Sequence, residues 1–314
     1  MLKIGLVGVG GISGAHIPAW DAMEDVELVA LCDVRSERME PYTDKRCYLD
    51  FDEMLEKEQL DILDICLPTY LHADFAIKAM EKGINVICEK PISLKEEDVE
   101  RVYCTAKKMD VKFMVAQVLR FWPEYELLKE LYDTEKYGKL LSGYMGRLGN
   151  IPLWSWDDWM ADEKRSGLVP FDLHIHDLDF MVYAFGAPEK VTSHRSKRPD
   201  QDCFNAVYDY SGFYIDSEAS WYAGCYPFCA SFRFQFEKAV VECREGKFKI
   251  YEVGGNVVDL SEEAEGDTGA INLPKSNAYA NEIRYFTDCV KADVFPDKVK
   301  PEELKKVIEI LKSI

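Results

Sequence analysis

From residue 3 to residue 118, two hydrophobic rhythms take turns. Lys3 to Val7, Val26 to Cys32, Asp61 to Leu67, Ile84 to Cys88 and Lys112 to Val118 are short runs rich in Val, Ile, Leu and Cys. That is the pattern of strands covered on both faces. Between them, apolar residues recur at helical spacing in Leu71 to Lys82, closed by Gly83, and in Glu96 to Met109. The alternation predicts an α/β fold built on a doubly wound parallel sheet with helices on both sides. From Phe121 the rhythm changes. A polar, acidic helix is predicted over Pro123 to Lys136. After it, Leu141 to Leu148, Val191 to Ser196, Cys203 to Tyr210, Tyr214 to Tyr222, Cys229 to Glu237, Ala239 to Glu242 and Lys247 to Val253 read as strands. Several alternate apolar and polar residues, as half-covered antiparallel strands do. Glu262 to Asp267 reads as an acidic loop, and Asn277 to Val290 and Pro301 to Ile310 as closing helices. The expected division is a doubly wound α/β domain over 1–119 and an α+β domain over 120–314, with the last helices packing back on the first.

One helix carries two stripes. Phe171, Ile175, Leu178, Val182 and Phe185 form an apolar face, and Asp172, His176, Asp179 and Tyr183 form a polar one beside it. Pro170 suits a first helical position and Gly186 an exit. A helix lining a cleft has this character. Asp172 and His176 are four apart, so a carboxylate and an imidazole share one face, the makings of a general acid–base pair. Taken alone, the pair reads first as a satisfied, solvated surface contact, and the rest of the chain is what overturns that reading.

Composition narrows the field. The chain has 314 residues, enough for two domains and a sizeable core, and a formal charge of −19. That balance argues against nucleic acid and anionic membrane as partners. The basic run His194 to Arg198 reads as an exposed turn. No apolar run approaches a membrane span, and the N-terminus runs straight into a strand and glycine turn, so a cytoplasmic protein is expected. Ten cysteines without CxxC pairs predict neither a disulfide framework nor a zinc module. No metal is expected, since His174 and His176, two apart on a helix, point away from each other.

The strand Lys3 to Val7 runs into Gly8-Val9-Gly10-Gly11-Ile12-Ser13-Gly14-Ala15-His16. Strand, glycine turn and helix are the context in which a dinucleotide fingerprint is credible. Gly8 permits the turn, Gly10 lets backbone approach a diphosphate, and Ser13 stands where the third glycine is usual. Asp33 ends the next strand, where a carboxylate takes ribose hydroxyls and favours NAD over NADP. Arg35 and Arg38 lie close enough to blunt that preference. Lys90, in Glu89-Lys90-Pro91, emerges from a buried strand at its carboxyl end, where ligands of such folds bind.

These elements together resemble the glucose–fructose oxidoreductase/inositol dehydrogenase/MocA family. The resemblance rests on the glycine turn, Pro68 with His72, Glu89-Lys90-Pro91, and Asp172 with His176 and Asp179, in the family's order. It implies a Rossmann domain holding NAD or NADP through Gly8, Gly10, Gly11, Ile12, Ser13, Asp33, Pro68, His72, Glu89 and Lys90. It also implies a second domain on a mixed, mostly antiparallel open sheet, joining subunits into a homodimer or homotetramer. Lys90 would stand by the nicotinamide and the reacting hydroxyl, His176 would be the acid–base, and Asp172 its partner or the substrate's. The expected reaction is hydride exchange with a secondary alcohol of a sugar, inositol or related polyol. Trp156, Arg147 and Tyr279 are further candidates for contacting that substrate. Rival readings are a nucleotide sugar, dihydrodiol or imine substrate, or a non-catalytic dinucleotide sensor. Ser13, and Ser166-Gly167-Leu168 before the Asp/His helix, depart from the family pattern.

Overall fold

A computed structural model describes residues 1–261 and 277–314. The acidic loop expected over Glu262 to Asp267 lies outside the described residues. Elements in chain order begin β1 (Leu2–Val7), α1 (Ser13–Asp21), β2 (Val26–Cys32), β3 (Arg46–Tyr48), α2 (Phe51–Lys57), β4 (Ile62–Ile65) and α3 (His72–Met80). They continue β5 (Asn85–Glu89), α4 (Glu96–Met109), β6 (Phe113–Ala116), α5 (Pro123–Asp133), β7 (Leu140–Asn150), α6 (Glu163–Ser166) and α7 (Ile175–Phe185). Strands β8 (Lys190–Arg198), β9 (Gln201–Tyr210), β10 (Phe213–Tyr222), β11 (Cys229–Phe236), β12 (Ala239–Arg244), β13 (Lys247–Glu252) and β14 (Val257–Asp259) follow, then α8 (Ala278–Lys291) and α9 (Pro301–Ser313).

The chain forms two compact units. The first joins residues 1–118 to 277–305. Its six strands run parallel in the order β3-β2-β1-β4-β5-β6, the strand order of a doubly wound dinucleotide-binding sheet. Ile4, Leu6, Ile62, Leu63, Val86 and Ile87 are wholly buried, which is why these strands read as unbroken apolar runs. Local chemistry sets the helix ends. Asp50 caps α2 by accepting the Glu53 N–H, while α4 opens on Glu96, Glu97 and Asp98 and closes on Lys107 and Lys108, in accord with its dipole. Helix α8 packs on α1, and Arg284 on it pairs with Asp25 at 2.9 Å. Residues 277–305 thus belong with the nucleotide half, although their sequence lies beyond the second domain's strands.

The second unit covers residues 119–261 and 306–314 of those described. Its eight-stranded sheet has the order β14-β13-β12-β11-β7-β10-β9-β8. β7 pairs parallel with β10, and the other pairings are antiparallel. Tyr125 of α5 stands with its ring centroid 4.9 Å from both Phe180 of α7 and Phe232 of β11. The helices and one sheet face share that aromatic core. The basic run His194 to Arg198, expected as a turn, is the end of β8. An edge strand with both faces largely exposed shows no alternation, and its lysine and arginines discourage further strand pairing.

Candidate active site

The glycine turn is shaped by two different demands. Gly8 has φ +94°, and a Cβ there would lie 2.5 Å from the Cys66 carbonyl oxygen; its N–H donates to the Cys32 carbonyl at 2.8 Å. Gly10 is half-exposed, and a Cβ built on it would meet nothing within 4 Å. The first glycine is required by the fold, and the second leaves open space at the N-terminus of α1. Gly11 and Ile12 border that space, both half-buried. Ser13 is buried and donates its hydroxyl to the Gly10 carbonyl at 2.8 Å. A serine therefore closes the turn where a third glycine was looked for. Asp33 ends β2 with one carboxylate oxygen accepting the Val9 N–H at 2.8 Å. Arg35 grips the same carboxylate through its backbone N–H, Nε and Nη2 at 2.9, 3.0 and 3.1 Å. Open backbone donors at a helix start and a carboxylate at the next strand end fit a dinucleotide diphosphate and ribose.

Strand β5 delivers Glu89 and Lys90. Lys90 is half-buried, whereas Glu89 turns inward. Its carboxylate accepts the Lys90 N–H at 3.0 Å and meets His16 Nε2 at 3.0 Å. His16 Nδ1 lies 2.8 Å from Asp64, which also accepts from the Trp20 indole at 2.7 Å. Pro68, three residues beyond β4, remains half-exposed. His72 does not. It is 1% exposed, with its ring nitrogens 2.7 Å from the Pro91 carbonyl and 2.6 Å from the Leu67 carbonyl. A ring engaged on both edges has nothing left for a cofactor, so the cofactor contact expected of His72 gives way to a structural clasp. Among the described residues, His16, Asp64 and Cys66 form the one His/Cys/Asp/Glu group compact enough to hold an ion. Hydrogen bonding already accounts for its spacing.

In the second unit, Pro170–His174 forms a π-turn that runs into α7. An ordinary α-helical start was expected. The wider turn brings residues four apart nearer to one line, and such turns are frequent at functional sites. Three buried polar clasps set the rotation of this segment. His174 Nε2 meets the Tyr208 hydroxyl at 2.5 Å. Asp177 accepts from Arg147 Nη2 at 2.8 Å and Nε at 3.3 Å. Asp179 accepts from Arg120 Nη2 at 2.6 Å and Nε at 2.8 Å, and that guanidinium lies 4.7 Å from the Tyr183 ring centroid. With these contacts made, every residue from 169 to 182 is buried except Asp172 and His176, which are half-buried. The open part of the segment is the Asp/His face.

Burial tunes the clasps. It pushes the His174 imidazole down to about 3, with Arg147 adding to the shift, so this ring is neutral. It pushes the Asp177 carboxyl up, against the opposing pull of Arg147. Arg147, expected to contact substrate, is 6% exposed and committed to Asp177, with the Tyr125 hydroxyl at 3.4 Å. Its guanidinium is spent inside the unit. Tyr279 is 8% exposed on α8, its ring centroid 5.8 Å from that of His16 in the nucleotide half. Trp156 opens an exposed 3₁₀ segment, Trp156–Ala161, at 40% exposure. Asp64 and Arg120 were missed by sequence reasoning, yet a carboxylate inside the apolar run Ile62–Ile65 is itself a sign of a buried partner.

A profile described as "Oxidoreductase family, NAD-binding Rossmann fold" matches residues 2–117, and the Gfo/Idh/MocA C-terminal domain profile matches residues 125–248. The chain belongs to the Gfo/Idh/MocA family. The chain is 28% identical over 204 residues to glucose-6-phosphate 3-dehydrogenase of Bacillus subtilis, covering 63% of the chain and 57% of that relative. It is 30% identical over 191 residues to myo-inositol 2-dehydrogenase of Thermotoga maritima, covering 59% and 55%. The chain thus spans a little over half the length of these curated relatives. An oxidoreductase of Agrobacterium radiobacter, solved with NAD+, L-tartaric acid and magnesium, shares the fold at TM-score 0.83 and 18% identity, over 99% of this chain and 94% of that one. Among the described residues, no helix is long and apolar enough to cross a membrane.

Proposed function

We propose that this oxidoreductase exchanges hydride with a secondary alcohol of a sugar, an inositol or a related polyol. The observation that carries the reading is the second unit's helix. Three buried clasps hold His174, Asp177 and Asp179 inside the unit, and Asp172 and His176, four apart, are the half-buried residues of the stretch 169–182. Gly8, Gly10, Gly11, Ile12, Ser13 and Asp33 would hold NAD, and the Asp33 carboxylate disfavours the 2′-phosphate of NADP. A bound nicotinamide supplies the hydride acceptor or donor. His176 takes the hydroxyl proton at an imidazole nitrogen as the alcohol is oxidised, and returns it in reduction. The Lys90 ammonium stabilises the alkoxide that develops as the proton leaves. Asp172 orients the imidazole or accepts a substrate hydroxyl. A sensor that only binds dinucleotide needs neither a lysine after β5 nor a half-buried imidazole four residues from a carboxylate on the second unit's helix.

Replacing Lys90 by Met, or His176 by Ala, is expected to lower kcat by roughly 10²- to 10⁴-fold while NADH affinity is nearly kept. Turnover at the wild-type rate in either variant, read from nicotinamide absorbance, contradicts the assignment. We further infer a cytoplasmic homodimer or homotetramer formed through the open sheet face. Tyr214 and Tyr251 stand exposed on that face, in one cross-strand row through Val240, Gln235 and Ser142.

A further inference from the structure

The Glu89–Pro91 segment is held from two sides by buried imidazoles, and neither side chain reaches a surface. His16 is 0% exposed, and each ring nitrogen faces a carboxylate oxygen, of Asp64 at 2.8 Å and of Glu89 at 3.0 Å. Two acceptors require two donors, so this ring carries both protons. Burial opposes the charge, and the Asp64 carboxylate foremost overcomes it, raising the pKa well above the ordinary value. His72 lies with Nδ1 2.7 Å from the Pro91 carbonyl and Nε2 2.6 Å from the Leu67 carbonyl. Burial lowers its pKa, so the ring carries one proton, and the brace has it on Nδ1, donating to Pro91. A buried imidazolium between carboxylates is a costly way to fill space, since apolar side chains of the same volume pack there at less cost. What it does and a hydrocarbon does not is fix direction. The second Glu89 oxygen accepts the N–H of Lys90 itself, and Pro91 is the next residue. His16 thus sets one side of Lys90 and His72 the other.

We propose that His16 and His72 are positioning residues for Lys90, His16 acting through the Glu89 carboxylate and His72 through the Pro91 carbonyl. The proposal rests on Lys90 being the ammonium of the reaction, as argued above. It makes a prediction that loss of packing does not. In place of histidine, asparagine puts its amide near the Nδ1 position, and glutamine near Nε2. At position 16 the Nε2 side faces Glu89, so His16→Gln keeps the brace and His16→Asn loses it. At position 72 the Nδ1 side faces Pro91, so His72→Asn keeps the brace and His72→Gln loses it. The two sites have opposite rank orders.

The four variants are compared by acetic anhydride labelling of Lys90, read by peptide mass spectrometry with and without NADH. Lys57, an exposed lysine on α2, is the internal reference. Expected is a several-fold change in the Lys90/Lys57 ratio for His16→Asn and His72→Gln, and a smaller one for their counterparts. In turnover, the same two variants should lose about 10- to 100-fold in kcat, the cost of a small misplacement, with less change in the KM for NAD+. If asparagine and glutamine label alike at both positions, or if the preference has the same sign at both, the brace is overturned. Should one pair fail to fold, the other decides alone by the sign of its preference. The labelling needs no turnover, so it tests the brace even where the Lys90→Met result rejects the catalytic reading.

Discussion

Gly8 and Gly10 are two residues apart and answer to different forces. Alanine at Gly8 meets a backbone carbonyl at 2.5 Å in a conformation with φ +94°, so it strains the junction of β1 and β4. Alanine at Gly10 meets no protein atom within 4 Å. Gly8→Ala is therefore expected to lower the melting temperature clearly. Gly10→Ala is expected to melt near the wild type while losing about tenfold or more in NADH affinity, as when backbone can no longer approach the diphosphate. Calorimetry and fluorescence titration on the two variants separate these effects. The histidines divide in the same way. His174 has its folded pKa lowered to about 3, while an unfolded histidine titrates near 6.5. The unfolded chain then binds the extra proton, so this ring's contribution is intact above about pH 6.5 and falls by up to about 1.4 kcal/mol per pH unit below it. His16 has the opposite sign, since its raised pKa makes its contribution full below the unfolded value and lost as pH climbs through the folded one. Melting curves from pH 7 to pH 5 should fall less steeply for His174→Phe than for the wild type.

At the scale of elements, the identity of the segment 170–185 as a helix was legible and its rotation was not. The apolar stripe of Phe171, Ile175 and Leu178 predicts a buried face. Nothing local says that Asp177 and Asp179 are buried too, because their partners Arg147 and Arg120 lie 30 and 59 residues away. The same distance hid the fate of Arg147, which looked free for a substrate, and of His72, whose partner Pro91 is 19 residues on. The π-turn likewise left no mark, since Pro170 suits the start of either helix type. Removing one member of a buried ion pair is more damaging than never having had it. Arg120→Met is expected to cost about 3–5 kcal/mol in urea unfolding, because the Asp179 carboxylate stays behind uncompensated. The joint replacement with Asp179→Leu should recover much of that loss. An Arg120→Met variant as stable as the wild type would remove the clasp from the account.

For the whole molecule, the parallel half was the more legible, since strands covered on both faces announce themselves as unbroken apolar runs. The short β3 and β14 and the exposed β8 gave weaker signals, being edge or near-edge strands with little to bury. The excess of acid over base, 57 residues against 38, mildly disfavours a highly anionic substrate, which sets the choice of a panel of neutral polyols. That choice leads to the decisive measurement. Absorbance of the reduced nicotinamide is followed with NAD+ and a panel of inositols and sugars, for the wild type and for Lys90→Met and His176→Ala. The account predicts steady NADH formation with at least one polyol, reduced by roughly 10²- to 10⁴-fold in each variant. NADH formation that persists undiminished without the ammonium or without the imidazole would contradict it.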